Sequence, residues 1–139
     1  MEINELFAIS RFGMDLEKSR AKAASLNIAN ANTLQINGQN AYQGISVVAE
    51  TPFLQAMQAS QTTELPNINV IERNDTPRLV HQPSHPAADE AGYLRYPNIN
   101  LAEEMTNLSS ATRAYEANVK VMNAIQSMAV KALEIGGRR

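Results

Sequence analysis

Apolar residues recur through the first thirty positions at intervals that a single stripe does not account for. Ile3, Phe7, Met14, Ala21 and Ile28 fall on one helical face; Ile9, Phe12, Leu16, Ala23 and Leu26 fall on a second. At about 100° per residue the two faces stand roughly 160° apart. The spacing predicts one long helix over about residues 3–30 with apolar neighbours on both sides, since a helix on a simple globule needs one stripe. A central helix inside a monomeric domain is the alternative, and the middle of the chain offers little to cover it. Ala21, Ala23, Ala24 and Ala29 favour helix. The segment Ser25-Leu26-Asn27-Ile28-Ala29-Asn30-Ala31-Asn32-Thr33 then stops it, because Asn competes for backbone hydrogen bonds and tolerates the left-handed conformation that closes helices.

A second helix is predicted over about residues 100–135. Leu101, Met105, Leu108, Thr112, Tyr115, Val119, Met122, Gln126, Ala129 and Leu133 alternate by four and three, a heptad seam with two polar positions, Thr112 and Gln126. Beside it runs a stripe through Ala111, Ala114, Asn118, Val121, Ile125, Met128, Ala132 and Ile135. Two adjacent seams imply contact with more than one helix. Asn100 is placed to cap the start, with Glu103 three residues on, and Glu103 and Glu104 suit the positive end of the helix dipole. Gly136-Gly137 stops the helix, and Arg138-Arg139 follows its negative end.

Between the helices the periodicity changes. Asn37-Gly38 is a turn signal, Ile45-Ser46-Val47-Val48-Ala49 a short strand, and residues 55–66 a polar loop. Ile68-Asn69-Val70-Ile71 and Leu79-Val80-His81 read as two further strands separated by Asn74-Asp75-Thr76-Pro77, and Pro83, Pro86 and Pro97 favour extended backbone afterwards. The expected fold is mainly α with a small β-rich insert, the long terminal helices pairing as an antiparallel coiled coil. Three segments follow: residues 1–33, 34–99 and 100–139.

Composition narrows the function classes. The 139 residues suit one domain, and at 5% aromatic with no Trp there are few large anchors for a compact core. A net charge of −2 attracts neither nucleic acid nor an anionic membrane. Without cysteine, neither a disulfide framework nor a Cys-based metal site exists. No run approaches the roughly 18 apolar residues of a membrane span. Glu2, Glu5 and Asp15 interrupt the first apolar positions, without the basic segment and cleavage site of a secretory signal. Passage out of the cytoplasm is therefore expected to use no cleaved signal.

Candidate chemistry is sparse. His81 and His85 are four apart, but Pro83 and Pro86 keep them off a helix, so they do not form the zinc-binding pair. Asp89-Glu90 and Glu103-Glu104 are sequence neighbours, which is not the facing arrangement acid–base catalysis needs. Met105, Met122 and Met128 serve more simply as adaptable packing residues than as ligands. No enzyme, metal or cofactor is expected.

Two stretches carry a resemblance. Leu26-Asn27-Ile28-Ala29-Asn30-Ala31-Asn32-Thr33 resembles the N-terminal motif of the bacterial flagellar axial family of rod, hook and hook-associated proteins. Pro83-Ser84-His85-Pro86-Ala87-Ala88-Asp89-Glu90-Ala91-Gly92-Tyr93, then Pro97-Asn98-Ile99-Asn100 with Glu104-Met105, and Ser110-Ala111-Thr112-Arg113-Ala114-Tyr115-Glu116-Ala117-Asn118 resemble its proximal rod members. The similarity covers nearly the whole chain. It departs at Gly38-Gln39-Asn40-Ala41-Tyr42, which lacks the Pro and basic residue of the family, and at residues 10–14.

The resemblance implies a structural subunit of the proximal rod of the flagellar basal body. It would be exported unprocessed and would polymerise across the periplasmic space with other rod proteins and copies of itself. The MS ring and export-gate base on one side and the distal rod on the other are the implied partners. Phe7, Met14, Leu16, Leu26, Asn27, Ile28, Ala29, Asn30, Tyr93, Tyr96, Met105, Leu108, Tyr115, Asn118, Val119, Met122, Ile125 and Leu133 are the expected subunit-interface residues. Phe12-Gly13-Met14-Asp15-Leu16 resembles an export-gate motif, carried by Phe12 and Leu16. Two other readings stand beside this one: another rod subunit, and, from a different class, a soluble helical adaptor or export chaperone that binds a partner helix in a groove.

Overall fold

The computed structural model describes residues 3–36, 42–50 and 65–136. The turn expected at Asn37-Gly38, most of the polar stretch at 55–66 and the residues after Gly136 lie outside it. Helix α1 spans Ile3–Asn30 and helix α2 spans Leu101–Gly136. Between them come β1 (Ile45–Glu50), β2 (Asn67–Glu72), β3 (Arg78–His81) and β4 (Tyr93–Tyr96).

The helices pack antiparallel. Gly13 in α1 stands against Asn118 in α2, while Ala23 and Ala24 near the end of α1 share a cavity wall with Glu104 and Asn107 at the start of α2. The contact does not follow the large apolar stripes. Ser10, Glu17 and Ala24 on α1 and Ala31 just after it, seven residues apart, are buried together with Asn27. On α2 the buried residues are Glu104, Ala111 and Ile125. Of the heptad seam, Leu101, Met105 and Leu133 are exposed in the subunit and Leu108 and Met122 are half-buried, so it does not lie wholly between the two helices. Small residues such as Ser10, Gly13, Ala24 and Ala111 permit the close approach, and Glu17, Asn27, Glu104 and Ile125 fill the rest of the lane.

Helix α2 has 36 residues to the 28 of α1, and runs about two turns beyond its partner. Every residue from Val130 to Gly136 is exposed there.

The termini of the helices are set by asparagines. Asn100 Oδ1 accepts from the amides of Ala102 (3.1 Å) and Glu103 (3.4 Å), capping α2 as its sequence predicts. Asn30 Nδ2 donates to Leu26 O at 2.8 Å and Thr33 N donates to Asn30 O at 3.0 Å. The left-handed closure expected for α1 is absent: among the described residues only Gly92 has positive φ. The last carbonyls are satisfied instead by the Asn30 side chain at Leu26 O and by the amides of Ala31 and Thr33 at Ile28 O and Asn30 O.

Two antiparallel hairpins form the insert. Strands β1 and β2 pair with Val47 opposite Val70; β3 and β4 pair with Val80 opposite Leu94. Strand β4 was not expected, because Tyr-Leu-Arg-Tyr is only four residues long and sits between Gly92 and Pro97. Its alternation is nonetheless that of a strand: Leu94 is buried and Tyr96 half-buried, while Tyr93 and Arg95 are exposed. The turn before it depends on Asp89, whose Oδ1 accepts from Ala91 N (3.0 Å) and Tyr93 N (2.8 Å). Gly92 has φ 77°, and a β-carbon there would meet Pro83 Cβ at 3.0 Å, so glycine is required twice over.

The core is thin. Its buried apolar residues are Ala23, Ala24, Ala31, Leu94, Ala111 and Ile125. Alanine removes little apolar area from water, so Leu94 and Ile125 carry most of the term.

The close approach at Gly13 yields a coupled prediction. Gly→Ala in a helix interior normally stabilises by about 1 kcal/mol, but a β-carbon at Gly13 would lie 2.8 Å from Asn118 Nδ2. Gly13→Ala is expected to gain more in an Asn118→Ala background than in the wild type, with a coupling of at least ~0.5 kcal/mol in denaturant titration.

Candidate assembly interface

One junction joins both helices to the β1–β2 hairpin. Asn27, 1% exposed, holds β1 through its side-chain amide. Its Nδ2 donates to Ile45 O at 2.8 Å, and its Oδ1 accepts from Ile45 N at 2.9 Å and from the Tyr42 hydroxyl at 3.0 Å. The amide thus satisfies both backbone groups of one residue, as a neighbouring strand would. The next link is Arg73, just after β2, whose backbone N donates to Gly44 O. Its guanidinium lies over Gly44, where a β-carbon would come within 2.8 Å of Nη2. The same guanidinium donates to Glu104 Oε1 on α2, and its Nε lies 3.8 Å from Asp75. The Glu104 side chain is 4% exposed. A carboxylate so deeply buried requires a cation, and removing one partner of such a pair is far costlier than the pair is stabilising.

Tyr42 is held protonated by this setting. Burial pushes its hydroxyl above the ordinary value of 10.0, the Glu104 carboxylate raises it further, and Arg73 opposes both.

Around the helix pair, side chains sort into three lanes besides the seam. In an antiparallel pair, equivalent heptad positions of both helices line the same side. Phe7, Met14 and Ile28 of α1 therefore share one flank with Met105, Val119 and Leu133 of α2. Ile9 and Leu16 share the other with Val121, Met128 and Ile135. Met105 is 60% exposed, Val121 49%, Met128 60%, Leu133 76% and Ile135 79%. At the Asn27 end the second flank meets β1, where Ala23, Asn107, Ile45 and Val47 help line an open pocket of about 200 Å³. The charged residues Arg11, Asp15, Lys18 and Lys22 of α1, and Arg113, Glu116, Lys120, Lys131 and Glu134 of α2, fall on the remaining outer lane. Thr112 on the first flank spends its hydroxyl on Leu108 O at 2.8 Å, leaving its methyl to the surface.

The residues expected at a subunit interface are thus distributed unevenly. Asn27 and Ile125 are enclosed within the subunit, and Asn118 stands against Gly13. Asn30 is engaged in closing α1. Phe7, Met14, Leu16, Ile28, Leu108, Val119 and Met122 are half-buried, as is Phe12; Leu26, Ala29, Met105, Tyr115 and Leu133 are exposed. Tyr93 is exposed beside His81, ring centres 4.9 Å apart, and Tyr96 lies under the Arg78 guanidinium at 5.6 Å. Arg73, Glu104 and Tyr42 were not singled out for the junction. They are far apart in sequence, and no spacing rule connects them.

Comparison with known proteins gives a consistent result. Residues 90–135 match the family described as flagellar basal body rod FlgEFG protein, C-terminal. The chain is 34% identical over 139 residues to the flagellar basal-body rod protein FlgC of Yersinia enterocolitica, covering 98% of this chain and 99% of that one. It is 32% identical over 136 residues to the protein of the same name from Escherichia coli O157:H7, with the same coverage. The Bacillus subtilis protein so named is 33% identical over 141 residues, covering 92% and 94%.

Two predictions follow from the junction. Asn27→Ala leaves both backbone groups of Ile45 without their partner and is expected to lower stability by roughly 2–4 kcal/mol in thermal or denaturant unfolding. Tyr42 carries a pH signature. The fold prefers its protonated form, so its contribution is fully present below pH ~10 and is lost as pH rises through the elevated folded value. Tyr42→Phe should therefore be less stable than wild type by about 1 kcal/mol at neutral pH, yet lose stability less steeply above pH ~10.

Proposed function

The chain belongs to the FlgC family of flagellar basal-body rod proteins and is a structural subunit of that rod; on this premise we propose how it joins its neighbours. The observation that carries the proposal is the pair of flanks with exposed apolar side chains on the helix hairpin, Met105 and Leu133 on one and Val121, Met128 and Ile135 on the other. Each flank presents side chains whose burial contributes roughly 1.5–3 kcal/mol apiece. A monomer leaves that term unrealised. Two different flanks on one subunit favour a heterologous contact, in which the first flank of one copy meets the second flank of the next. Repeated about an axis, such contacts close into a tube or continue as a helix.

The contact residues in this reading are the flank residues, Met14, Leu16, Met105, Val119, Val121 and Leu133 among them, rather than the seam residues Asn27, Asn118 and Ile125. The role is mechanical and not catalytic. Copies of the chain and other rod proteins are the neighbours in the proximal rod, with the MS ring and export-gate base below and the distal rod above. The rod crosses the periplasmic space, reached through the flagellar export apparatus without a cleaved signal. Phe12 and Leu16 are half-buried once the helices pair, so an export motif built on them would be read in the unfolded chain.

Val121→Glu and Leu133→Glu place a carboxylate on opposite flanks at exposed positions. Each should change the melting of the purified subunit by no more than about 0.5 kcal/mol. Each should nevertheless abolish rod assembly and swimming, because a contact there would require desolvating the charge. Cells carrying either variant that swim like wild type would show that the flank concerned faces solvent in the rod.

A further inference from the structure

The two most exposed methionines of the described residues lie on the two flanks. Met105 and Met128 are each 60% exposed, Met105 on the first flank and Met128 on the second. Met14 and Met122 are only half-buried but stand closer to the seam. From this arrangement we infer that Met105 and Met128 form an oxidation-sensitive check on the unassembled subunit: peroxide converts them to sulfoxides, and a subunit so modified is not incorporated until it is reduced. The inference rests on the flanks being contact surfaces.

The chemistry balances without a cofactor. The thioether sulfur takes one oxygen atom from hydrogen peroxide and loses two electrons, and the peroxide is reduced to water. Susceptibility follows access of the oxidant to sulfur, which favours the two flank residues. The consequence follows from polarity. Methionine fills an apolar contact and adapts to its shape, whereas the sulfoxide is polar and brings an S=O acceptor that needs a hydrogen bond. One heptad away along its lane Met105 meets Thr112, whose hydroxyl is committed to Leu108 O, and Met128 meets Val121 and Ile135. One sulfoxide thus disables one face, and because the residues lie on different flanks, oxidation at either interrupts a chain of contacts that needs both. Once a subunit is seated, the same contact shields the sulfur. Reduction by methionine sulfoxide reductase, with electrons from a thiol, restores the original surface.

The test has three arms, all on the full chain. Purified subunit is treated with hydrogen peroxide and mapped by mass spectrometry; Met105 and Met128 should gain oxygen at least ~5-fold faster than Met14 and Met122. In cells, Met105→Gln/Met128→Gln, which imitates the polarity of the sulfoxide, should build few rods, while Met105→Leu/Met128→Leu should build them normally. Circular dichroism of each purified variant should match wild type, since both positions are exposed in the subunit. Finally, basal bodies isolated from peroxide-treated cells should hold both residues reduced while the free pool carries sulfoxide.

Equal oxidation rates at all four methionines, or rods containing sulfoxide at either position, would overturn the inference. The Gln pair swimming like wild type would do so as well, and the Val121→Glu strain then separates the causes. If Val121→Glu still blocks assembly, the flank is a contact surface and only the redox check is wrong. If it does not, the contact reading fails with it.

Discussion

A helix ending in asparagine, a strand beginning fifteen residues later and a second helix at the far end of the chain have no local reason to meet where they do. The amide of Asn27 supplies one. By occupying both backbone groups of Ile45, it fixes the position, the height and the rotation of β1 against α1 at once. Two hydrogen bonds to a single residue tolerate no slippage, whereas apolar contact alone would. From that point Gly44 lies under the Arg73 guanidinium, and Arg73 reaches Glu104. The register of the helix pair and the seat of the insert are consequently one constraint. Stability is not the main return from so many buried polar groups, since their desolvation offsets much of what they gain. Their effect is uniqueness, because a different arrangement would leave the Asn27 amide or the Glu104 carboxylate buried without its partner.

This explains why a chain with a core built mostly of alanines is still specific. Its apolar term is small, and Glu17, Asn27 and Glu104 are buried beside it. The lane between the helices works as a key, and the stronger adhesive surfaces are left outside. A protein built to act alone would place them the other way round.

The sequence disclosed the elements more readily than their faces. Both helices were legible because alanine-rich, periodic segments of this length have few other conformations open to them. Three of the four strands were legible from short β-branched runs; β4 was obscured by its length and by Pro97. The lane between the two helices was not legible, because large apolar residues dominate any periodicity, while the lane is marked by Ser10, Glu17, Ala24 and Ala31, which carry almost no hydrophobic signal. The asparagine run pointed to the right part of the chain, but Asn27 serves the interior of the subunit, and its partner Ile45 could not be deduced from any pattern.

The unequal lengths of α1 and α2 give the subunit two unlike ends. At one, β1 packs on the last turns of α1 and Arg73 reaches the start of α2. At the other, a single bare helix projects with Val130, Leu133 and Ile135 uncovered. Objects with one closed and one open end stack in only one sense. A shaft made from them has a foot and a tip, and the difference between the two is already present in each piece before any two have met.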